Sequence, residues 1–291
     1  YINDLQNACH MSTPFLFADD GALLFKDIDR KSYMNVQIEL LIVKKWLEVN
    51  KLSLNIEKTE YMVFDKNKES ELILVNDILI YECKTTKYLG LMLDHKLSFG
   101  DHIEYVKKKI SKRVNAMYKS KNLLPLKYRK MFANALVLPV FDYLDIIYNK
   151  ACKTRLTELD ILYKKVAKIA LDVPKQENSL SVYKDMKWLP LHLRRQLHTS
   201  NYVFRTIKEC CPYDMRDKFK YTSGGSRIAE NCNLYIPNSK SHKEFYYLGA
   251  KCWNTLSSDL RNLDDVKKFS TKLKALYLSS IQNDINYQPD N

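Results

Sequence analysis

Two short apolar runs flank a pair of carboxylates near the start of the chain. The runs Phe15–Phe17 and Ala22–Phe25 enclose Asp19 and Asp20, and Gly21 follows directly. An Asp-Gly dipeptide between two strand-like segments is a strong hairpin signal, because both residue types tolerate the backbone of tight turns. The pattern predicts a β-hairpin that turns at Asp20-Gly21 and carries Asp19 and Asp20 at its tip.

Helical and strand-like periods follow the hairpin. Helical spacing over residues 31–50 predicts an amphipathic helix that covers a sheet and stops near Asn50. Its apolar stripe is predicted to be Val36, Leu40, Val43 and Leu47, widened by Met34, Ile38 and Leu41. Alternating segments predict one strand at Tyr61–Phe64 and a small β-meander with a turn at Asn76-Asp77. The meander segments are Leu72–Val75, Ile78–Ile80 and Tyr88–Leu93.

From residue 99 onward the pattern is mostly helical. Helical spacing is clear over residues 101–131 and 132–206, is interrupted by Gly, Pro and Ser clusters over 208–242, and returns over 243–280. The first of these helices has the apolar stripe Val106, Ile110, Val114 and Met117. The sequence therefore predicts an α+β N-terminal part, a helical middle part, and a last part of loops and helices. The predicted domains are 1–98, 99–206 and 207–291.

Composition narrows the class of protein. The chain has 291 residues, 46% of them hydrophobic, with only 6 Gly and 8 Pro. These values allow a sizeable core and exclude a disordered or repetitive fibrous chain. No apolar stretch is long enough to span a bilayer, and 7 cysteines without paired spacing favour reduced thiols in an intracellular protein. Because the first residue is Tyr1, inside a patterned run, we expect the chain to begin within a longer reading frame.

The net charge of +13 favours a phosphate-rich partner, although an anionic membrane surface or an ordinary basic protein would also fit. Basic side chains are dense over residues 101–131, where only Asp101 and Glu104 oppose them. These side chains lie off the apolar stripe, so they could follow a nucleic-acid backbone or form a merely solvated face. They are Lys107, Lys108, Lys109, Lys112, Arg113, Lys119, Lys121, Lys127, Arg129 and Lys130.

The Asp19-Asp20 pair has the ligand chemistry of a divalent-cation site. Mg²⁺ prefers oxygen ligands and is commonly held by one or two carboxylates together with phosphates and water. Successive strand residues point to opposite faces, so Asp19 is predicted to be the main ligand. A solvated turn without a ligand is the plain alternative, because short motifs give many false matches. The cysteine and histidine spacings fit no zinc site, and the sequence contains no serine-nucleophile, Walker or dinucleotide motif.

Several motifs follow the order and spacing of one enzyme family. Phe17-Ala18-Asp19-Asp20 between apolar strands resembles the catalytic motif of reverse transcriptases, and Tyr1–Leu5 resembles the segment before it in non-LTR retrotransposon polymerases. The next motif of that family is similar to Trp46, Asn50, Leu52, Leu54, Asn55, Lys58, Thr59, Met62 and Phe64. The primer-grip and early thumb segment is similar to Lys87, Tyr88, Leu89, Gly90, Leu93, Asp94, Leu97, His102 and Ile103. The chain thus resembles the palm-to-C-terminal part of a non-LTR (jockey- or CR1-like) reverse transcriptase, most specifically over residues 1–120.

This resemblance implies a fold and a reaction. Residues 1–98 would be a partial polymerase palm, an antiparallel sheet plus a helix, with a primer-grip-like hairpin, and residues 99–206 would be a basic, mostly α-helical thumb. The activity would be RNA-templated DNA synthesis, in which a primer 3′-hydroxyl attacks the α-phosphate of a deoxynucleoside triphosphate (dNTP). The implied partners are an RNA template, a DNA primer and dNTP, the implied cofactor is Mg²⁺, and the implied compartment is the nucleus.

The resemblance also implies roles for single residues. Asp19 and Asp20 would be catalytic residues that hold Mg²⁺. Lys58 would lie near the phosphates of the incoming nucleotide and neutralise charge or act as a general acid, whereas a surface lysine beside a strand is the plain alternative. Leu89 and Gly90 would approach the primer. The contacts to the duplex backbone would come from Lys107, Lys108, Lys112 and Arg113.

Two elements of the family do not occur in the sequence. They are the glycine-rich nucleotide-pocket motif just before the segment like Tyr1–Leu5, and an upstream strand with another catalytic aspartate. Because the two-metal site of the family needs carboxylates from both strands, we expect that the chain does not polymerise DNA alone. The alternatives are a non-catalytic nucleic-acid-binding remnant of a mobile element and a decayed fragment without a selected role.

Overall fold

The computed structural model describes residues 2–26, 30–64, 72–75, 78–208, 213–222, 233–236 and 245–283. The chain divides into two compact units, Tyr1–Asp101 and His102–Asn291. The described strands lie in the first unit together with one long helix, and the second unit is mostly helical. This mixture of helix and sheet is compatible with the predicted α+β class, whereas the roles of the parts as palm and thumb stay predictions.

The predicted hairpin is confirmed, but its turn is placed differently. β1 (Thr13–Phe17) and β2 (Asp20–Leu24) are antiparallel and are joined by two residues, Ala18 and Asp19. The prediction of a turn at Asp20-Gly21 was wrong, because both residues lie in β2 and pair with β1. The pairing register of the two strands, and not the local Asp-Gly signal, places the turn.

The predicted helix is confirmed as α1 (Arg30–Val49), and it ends just before Lys51, which has a left-handed φ of 57°. Its buried positions include Val36, Val43 and Leu47. The predicted widening of the apolar stripe was wrong, because α1 packs against its neighbours in the first unit from one side. The exposed fractions are 66% for Met34, 48% for Ile38 and 47% for Leu41.

In the described part of the chain, five short strands follow α1, and they do not form the predicted meander. They are β3 (Glu60–Tyr61), β4 (Ile73–Val75), β5 (Ile78–Glu82), β6 (Thr85–Tyr88) and β7 (Leu91–Asp94). β5 is the middle strand of one sheet, antiparallel to β4 and parallel to β3. Because both edges of β5 are taken, β6 and β7 pair in a separate antiparallel hairpin. The prediction of a single meander was therefore wrong.

Two details of the predicted strands also change. The predicted strand Tyr61–Phe64 was wrong in extent, because β3 ends at Tyr61. The parallel pairing of β3 with β5 departs from a purely antiparallel sheet. The turn predicted at Asn76-Asp77 lies outside the described residues.

Two apolar clusters attach the elements of the first unit to α1. One cluster joins α1 to the sheet through Tyr33, Val36, Ile73, Val75 and Ile80. The other consists of Leu5, Val43 and Leu47, and the hairpin residues Leu16 and Leu23 pack against it. The helix therefore supports the sheet with its first half and the hairpin with its second half.

The second unit begins in the first turn of α2 (Gly100–Ser120). The predicted apolar stripe of this helix is confirmed, because all four of its members are buried. A π-helical turn at Ala133–Val137 joins α3 to α4. The bounds of the later helices are α3 (Leu126–Phe132), α4 (Leu138–Asp142), α5 (Asp145–Tyr148), α6 (Lys153–Leu171), α7 (Ser179–Met186), α8 (Leu191–Ile207), α9 (Tyr213–Arg216), α10 (Phe245–Asn254), α11 (Ser258–Arg261) and α12 (Val266–Asn283).

Aromatic side chains fill the core of the second unit. Phe204 of α8 stacks on Phe269 of α12 with ring centroids 4.4 Å apart, and Trp253 of α10 lies 6.1 Å from Phe269. Tyr163 of α6 lies 4.9 Å from Trp188 between α7 and α8. These rings are buried, so they contribute to the apolar core of this unit.

None of the helices in the described part of the chain is long and apolar enough to cross a lipid bilayer.

Candidate active site

The tip of the β1–β2 hairpin presents both candidate catalytic carboxylates. Asp19 is the second residue of the turn, and Asp20 is the first residue of β2, where it pairs with Phe17. Both side chains are exposed. The turn residue Ala18 has a φ of 53°, a left-handed value that is unfavourable for a residue with a Cβ. The backbone is therefore strained at the residue directly before Asp19 and Asp20.

The two faces of the hairpin differ. Leu16 and Leu23 face α1, whereas Phe15 and Phe17 on the opposite face are 50% and 63% exposed. Partners across an antiparallel ladder lie on the same face, so Asp20 shares the exposed face with Phe17. The alternation argument that made Asp19 the main metal ligand does not apply, because Asp19 is a turn residue. Its role as main ligand stays a prediction.

Two adjacent exposed carboxylates fit the needs of Mg²⁺, which keeps several ligands from substrate and water. Among the described residues, the ligand atoms of three His, Cys, Asp or Glu side chains come together only at Asp142, Asp145 and His198. There Arg194 already takes both oxygens of Asp142, which makes that cluster a poor cation site. Within the part of the chain that the structure describes, no third carboxylate, histidine or cysteine joins Asp19 and Asp20 in a metal-binding group, so the metal site at the hairpin stays a prediction.

Lys58 lies in a short 3₁₀ turn, Ile56–Lys58, directly before β3. The side chain of Asn55 accepts a hydrogen bond from the backbone N–H of Lys58 at 3.3 Å and so caps the turn. The Lys58 side chain is exposed. The structure leaves the Lys58 ammonium accessible to a phosphate.

Leu89 and Gly90 form the two-residue loop between β6 and β7. Their φ values are 45° and 83°. Positive φ at both positions is the sign of a type I′ turn, which matches the twist of the two strands. Glycine adopts this backbone freely, whereas Leu89 does so at a cost, so the tip of this hairpin has a tightly defined shape.

The sequence signals gave Asp94 only as part of a family motif and missed its structural role. Asp94 is 7% exposed, and its carboxylate accepts hydrogen bonds from the backbone N–H groups of Lys96, Ser98 and Phe99 at 2.8–3.1 Å. Burial would raise the pKa of Asp94, but these N–H donors outweigh it and hold the pKa below its usual value. Asp94 thereby shapes the turn that leads from β7 towards α2.

The basic side chains of α2 fall into two groups. Lys107 bonds Glu104 at 2.9 Å and Glu158 at 2.5 Å, and these bonds raise the pKa of Lys107. Arg113 donates to the backbone oxygen of Leu136. The other two candidates for nucleic-acid contact, Lys108 and Lys112, are exposed. Lys108 and Lys112 are therefore the better placed candidates on this helix.

The charge of the protein is divided unequally between the two units. Residues 1–101 hold 12 Lys and Arg against 16 Asp and Glu, a net charge of −4. Residues 102–291 hold 35 against 18, a net charge of +17. The excess of positive charge therefore lies in the second unit.

Comparison with known proteins points to one kind of enzyme. The chain is 23% identical over 211 residues to a Drosophila melanogaster protein named as a probable RNA-directed DNA polymerase from transposon BS, an alignment that covers 68% of this chain and 23% of that protein. It is 19% identical over 191 residues to the probable RNA-directed DNA polymerase from transposon X-element of the same organism, covering 64% and 21%. It is 26% identical over 179 residues to the polymerase from the mobile element jockey of D. melanogaster, covering 59% and 19%.

These relatives support a relationship to the polymerases of non-LTR mobile elements. The alignments span only about a fifth of the length of the relatives. No protein-family profile matches the chain. No solved structure matches it either.

Proposed function

We propose that the chain is the palm-to-thumb part of an RNA-directed DNA polymerase of a non-LTR mobile element. The observation that carries this proposal is the hairpin that holds Asp19 and Asp20 at its exposed tip, in a chain whose relatives are named as such polymerases. The exposed lysines of the second unit and its charge of +17 suit a template–primer duplex.

Each candidate residue has a definite task in this proposal. Asp19 and Asp20 would hold Mg²⁺, which when bound neutralises the phosphates of dNTP and orients the attacking hydroxyl. Lys58 would bind the phosphates from an exposed position and help the charge of the leaving pyrophosphate to develop. Leu89 and Gly90 would bring backbone close to the primer. Lys108 and Lys112 would contact the phosphates of the duplex.

The described residues supply only part of such a site. Two carboxylates stand together at the hairpin, and no third carboxylate, histidine or cysteine of the described chain joins them in a metal-binding group. We therefore propose that catalysis requires further segments, which contribute another carboxylate and the nucleotide pocket.

Primer extension tests this proposal. The purified chain would be mixed with an RNA template, a labelled DNA primer, dNTP and Mg²⁺, and extended products would be separated on a denaturing gel. We expect no extension by the chain alone. Extension that disappears in Asp19→Ala would show that the chain is active without further segments and would overturn that part of the proposal.

The second candidate function is nucleic-acid binding without catalysis. The observation that favours it is the strong separation of charge, since a unit of net charge +17 can bind nucleic acid without the carboxylate hairpin. Binding of an RNA–DNA duplex would be measured at several salt concentrations. Affinity that falls steeply with salt, and is unchanged in Asp19→Ala, would support this function, whereas affinity independent of salt would exclude phosphate contacts.

A further inference from the structure

Glu39 of α1 is a fully buried carboxylate, with 0% of its surface exposed. Its oxygens receive hydrogen bonds from three successive backbone N–H groups. Oε2 accepts from His10 at 2.9 Å and from Met11, and Oε1 accepts from Ser12 at 2.9 Å and also from the hydroxyl of Ser12. A buried charge is costly unless hydrogen bonds replace its water, and here four donors do so.

The segment that Glu39 binds is the entry to the candidate catalytic hairpin. Residues 10–12 directly precede β1, which begins at Thr13. Three successive N–H groups that converge on one anion fix the backbone direction of the segment that provides them. Glu39 therefore sets the position at which the chain enters β1.

The same face of α1 also packs against the strands of the hairpin. Glu39, Val43 and Leu47 are spaced four residues apart, so they form one row along the helix. Val43 and Leu47 pack with Leu16 and Leu23 of the hairpin strands. The hairpin is thus attached by a polar contact at its base and by an apolar contact further along.

An isolated two-stranded hairpin is only marginally stable, so its orientation depends on such attachments. An apolar contact alone permits small rotations, whereas directional hydrogen bonds do not. We infer that Glu39 is a positioning residue for the Asp19–Asp20 tip. It acts through the backbone of residues 10–12 and does not itself touch metal or substrate. The importance of this role for chemistry rests on the proposed function, since only a metal-binding tip requires such precise placement.

The direct test is Glu39→Gln, which keeps the size of the side chain. An amide has one oxygen only, so either orientation turns an NH₂ group towards two of the four donors. We expect amide hydrogen exchange in residues 10–12, β1 and β2 to become at least about tenfold faster. We expect the Kd for Mn²⁺, used as a probe for Mg²⁺, to rise about tenfold, as it does when outer contacts of metal ligands are lost. Mn²⁺ binding would be followed by water proton relaxation, and Asp19→Asn would identify the part that belongs to the hairpin.

The matched control is Glu48→Gln on the same helix. Glu48 has a side chain that is 61% exposed and pairs with Lys44 at 3.5 Å, so this change should alter neither exchange nor Mn²⁺ affinity. Ser12→Ala is a milder variant that removes only the hydroxyl donor, and it should shift both readouts in the same direction by a smaller factor. It keeps the test decisive if Glu39→Gln does not fold.

The outcomes separate this inference from the proposed function. Unchanged exchange of the hairpin amides in Glu39→Gln, or in Ser12→Ala if the first variant does not fold, overturns the inference. Faster exchange together with Mn²⁺ binding that is insensitive to Asp19→Asn supports the attachment by Glu39 but overturns the metal site of the proposed function. Faster exchange together with weaker, Asp19-dependent Mn²⁺ binding supports both.

Discussion

At the scale of single residues, several wholly or partly buried ionisable side chains are paired with one another. In the second unit, Arg194 donates to both oxygens of Asp142 through Nε and Nη2, the latter at 2.6 Å. Burial opposes the charge of Arg194, but the bond to Asp142 outweighs it and raises the pKa of the guanidinium. Nearby, His198 lies 2.6 Å from Asp145, whose pKa is raised by burial. Sequence patterns do not reveal such pairs, because the partners are about 50 positions apart in the chain.

The first prediction concerns the ion pair of Arg194 and Asp142. Arg194→Ala should destabilise the second unit by roughly 3 kcal/mol, because it leaves a partly buried carboxylate without its partner. Arg194→Lys should restore only part of this loss, since an ammonium cannot make the two parallel bonds. Urea unfolding followed by tryptophan fluorescence would measure both. Asp264→Asn, at an exposed partner of Lys208, is the control and should have no measurable effect.

The second prediction concerns His102, which is 1% exposed. Burial, helped by the positive charge of Lys109, lowers the pKa of His102 to about 4 in the folded protein. The unfolded chain binds this proton at a higher pH than the folded chain, so folding stability is full above about pH 6.5 and is lost as the pH falls towards 4. We expect wild type to lose on the order of 2 kcal/mol more than His102→Gln between these pH values. If the free energy of unfolding changes with pH at the same slope in wild type and in His102→Gln, the lowered pKa of His102 is refuted.

At the scale of elements, the long helices and the β1–β2 hairpin could be predicted from the sequence, whereas the pairing of the later strands could not. The helical period of α2 extends over several turns, so its apolar stripe identified both the helix and its buried side. In α1 the period identified the helix, but the predicted stripe was too wide. The strands have two to five residues, and their pairing depends on which edges are free. No local sequence pattern predicts which strand pairs with each edge of β5. The tip carboxylates were predictable from one motif, whereas Glu39 and its N–H partners were not, because the contact joins residues 27 to 29 positions apart.

The third prediction concerns the crossing of α8 and α10. A Cβ at Gly249 would lie 2.9 Å from Cγ2 of Val203 and 3.2 Å from the ring of Phe219. Gly249→Ala should therefore cost roughly 1–3 kcal/mol despite its better helix propensity. At Gly100 a Cβ would meet Oγ of Ser98 at an ordinary 3.6 Å, so Gly100→Ala should be close to neutral. Thermal unfolding of both variants would show the contrast, and equal melting temperatures would contradict the described packing.

The fourth prediction concerns α2 as a nucleic-acid contact. Lys108→Ala and Lys112→Ala should each lower the slope of log Kd against log salt by about 0.7–0.9, the value for one lost phosphate contact. Lys107→Ala is the matched control on the same helix. It should change the slope little, because Lys107 is already held by Glu104 and Glu158. Equal effects of all three substitutions would mean that the ion pairs do not govern which lysines bind.

At the scale of the whole molecule, the candidate catalytic residues and the excess of positive charge lie in different units. The candidate catalytic carboxylates lie in a unit of net charge −4, whereas the unit of net charge +17 carries the basic helices. In the proposed function, the basic unit would bind the duplex and the hairpin of the other unit would hold Mg²⁺. The total charge of +13 does not reveal this difference between the units, because a sum over the chain does not show where the charges lie.

The most direct test of the account is the sequence of the native transcript upstream of the codon for Tyr1. The account predicts an in-frame extension that encodes a strand with a further catalytic aspartate, followed by the glycine-rich nucleotide-pocket motif. Together with the Asp19–Asp20 hairpin, these elements would complete a polymerase site. A start codon close to Tyr1, with neither element encoded before it, would contradict the polymerase account and leave nucleic-acid binding as the leading function.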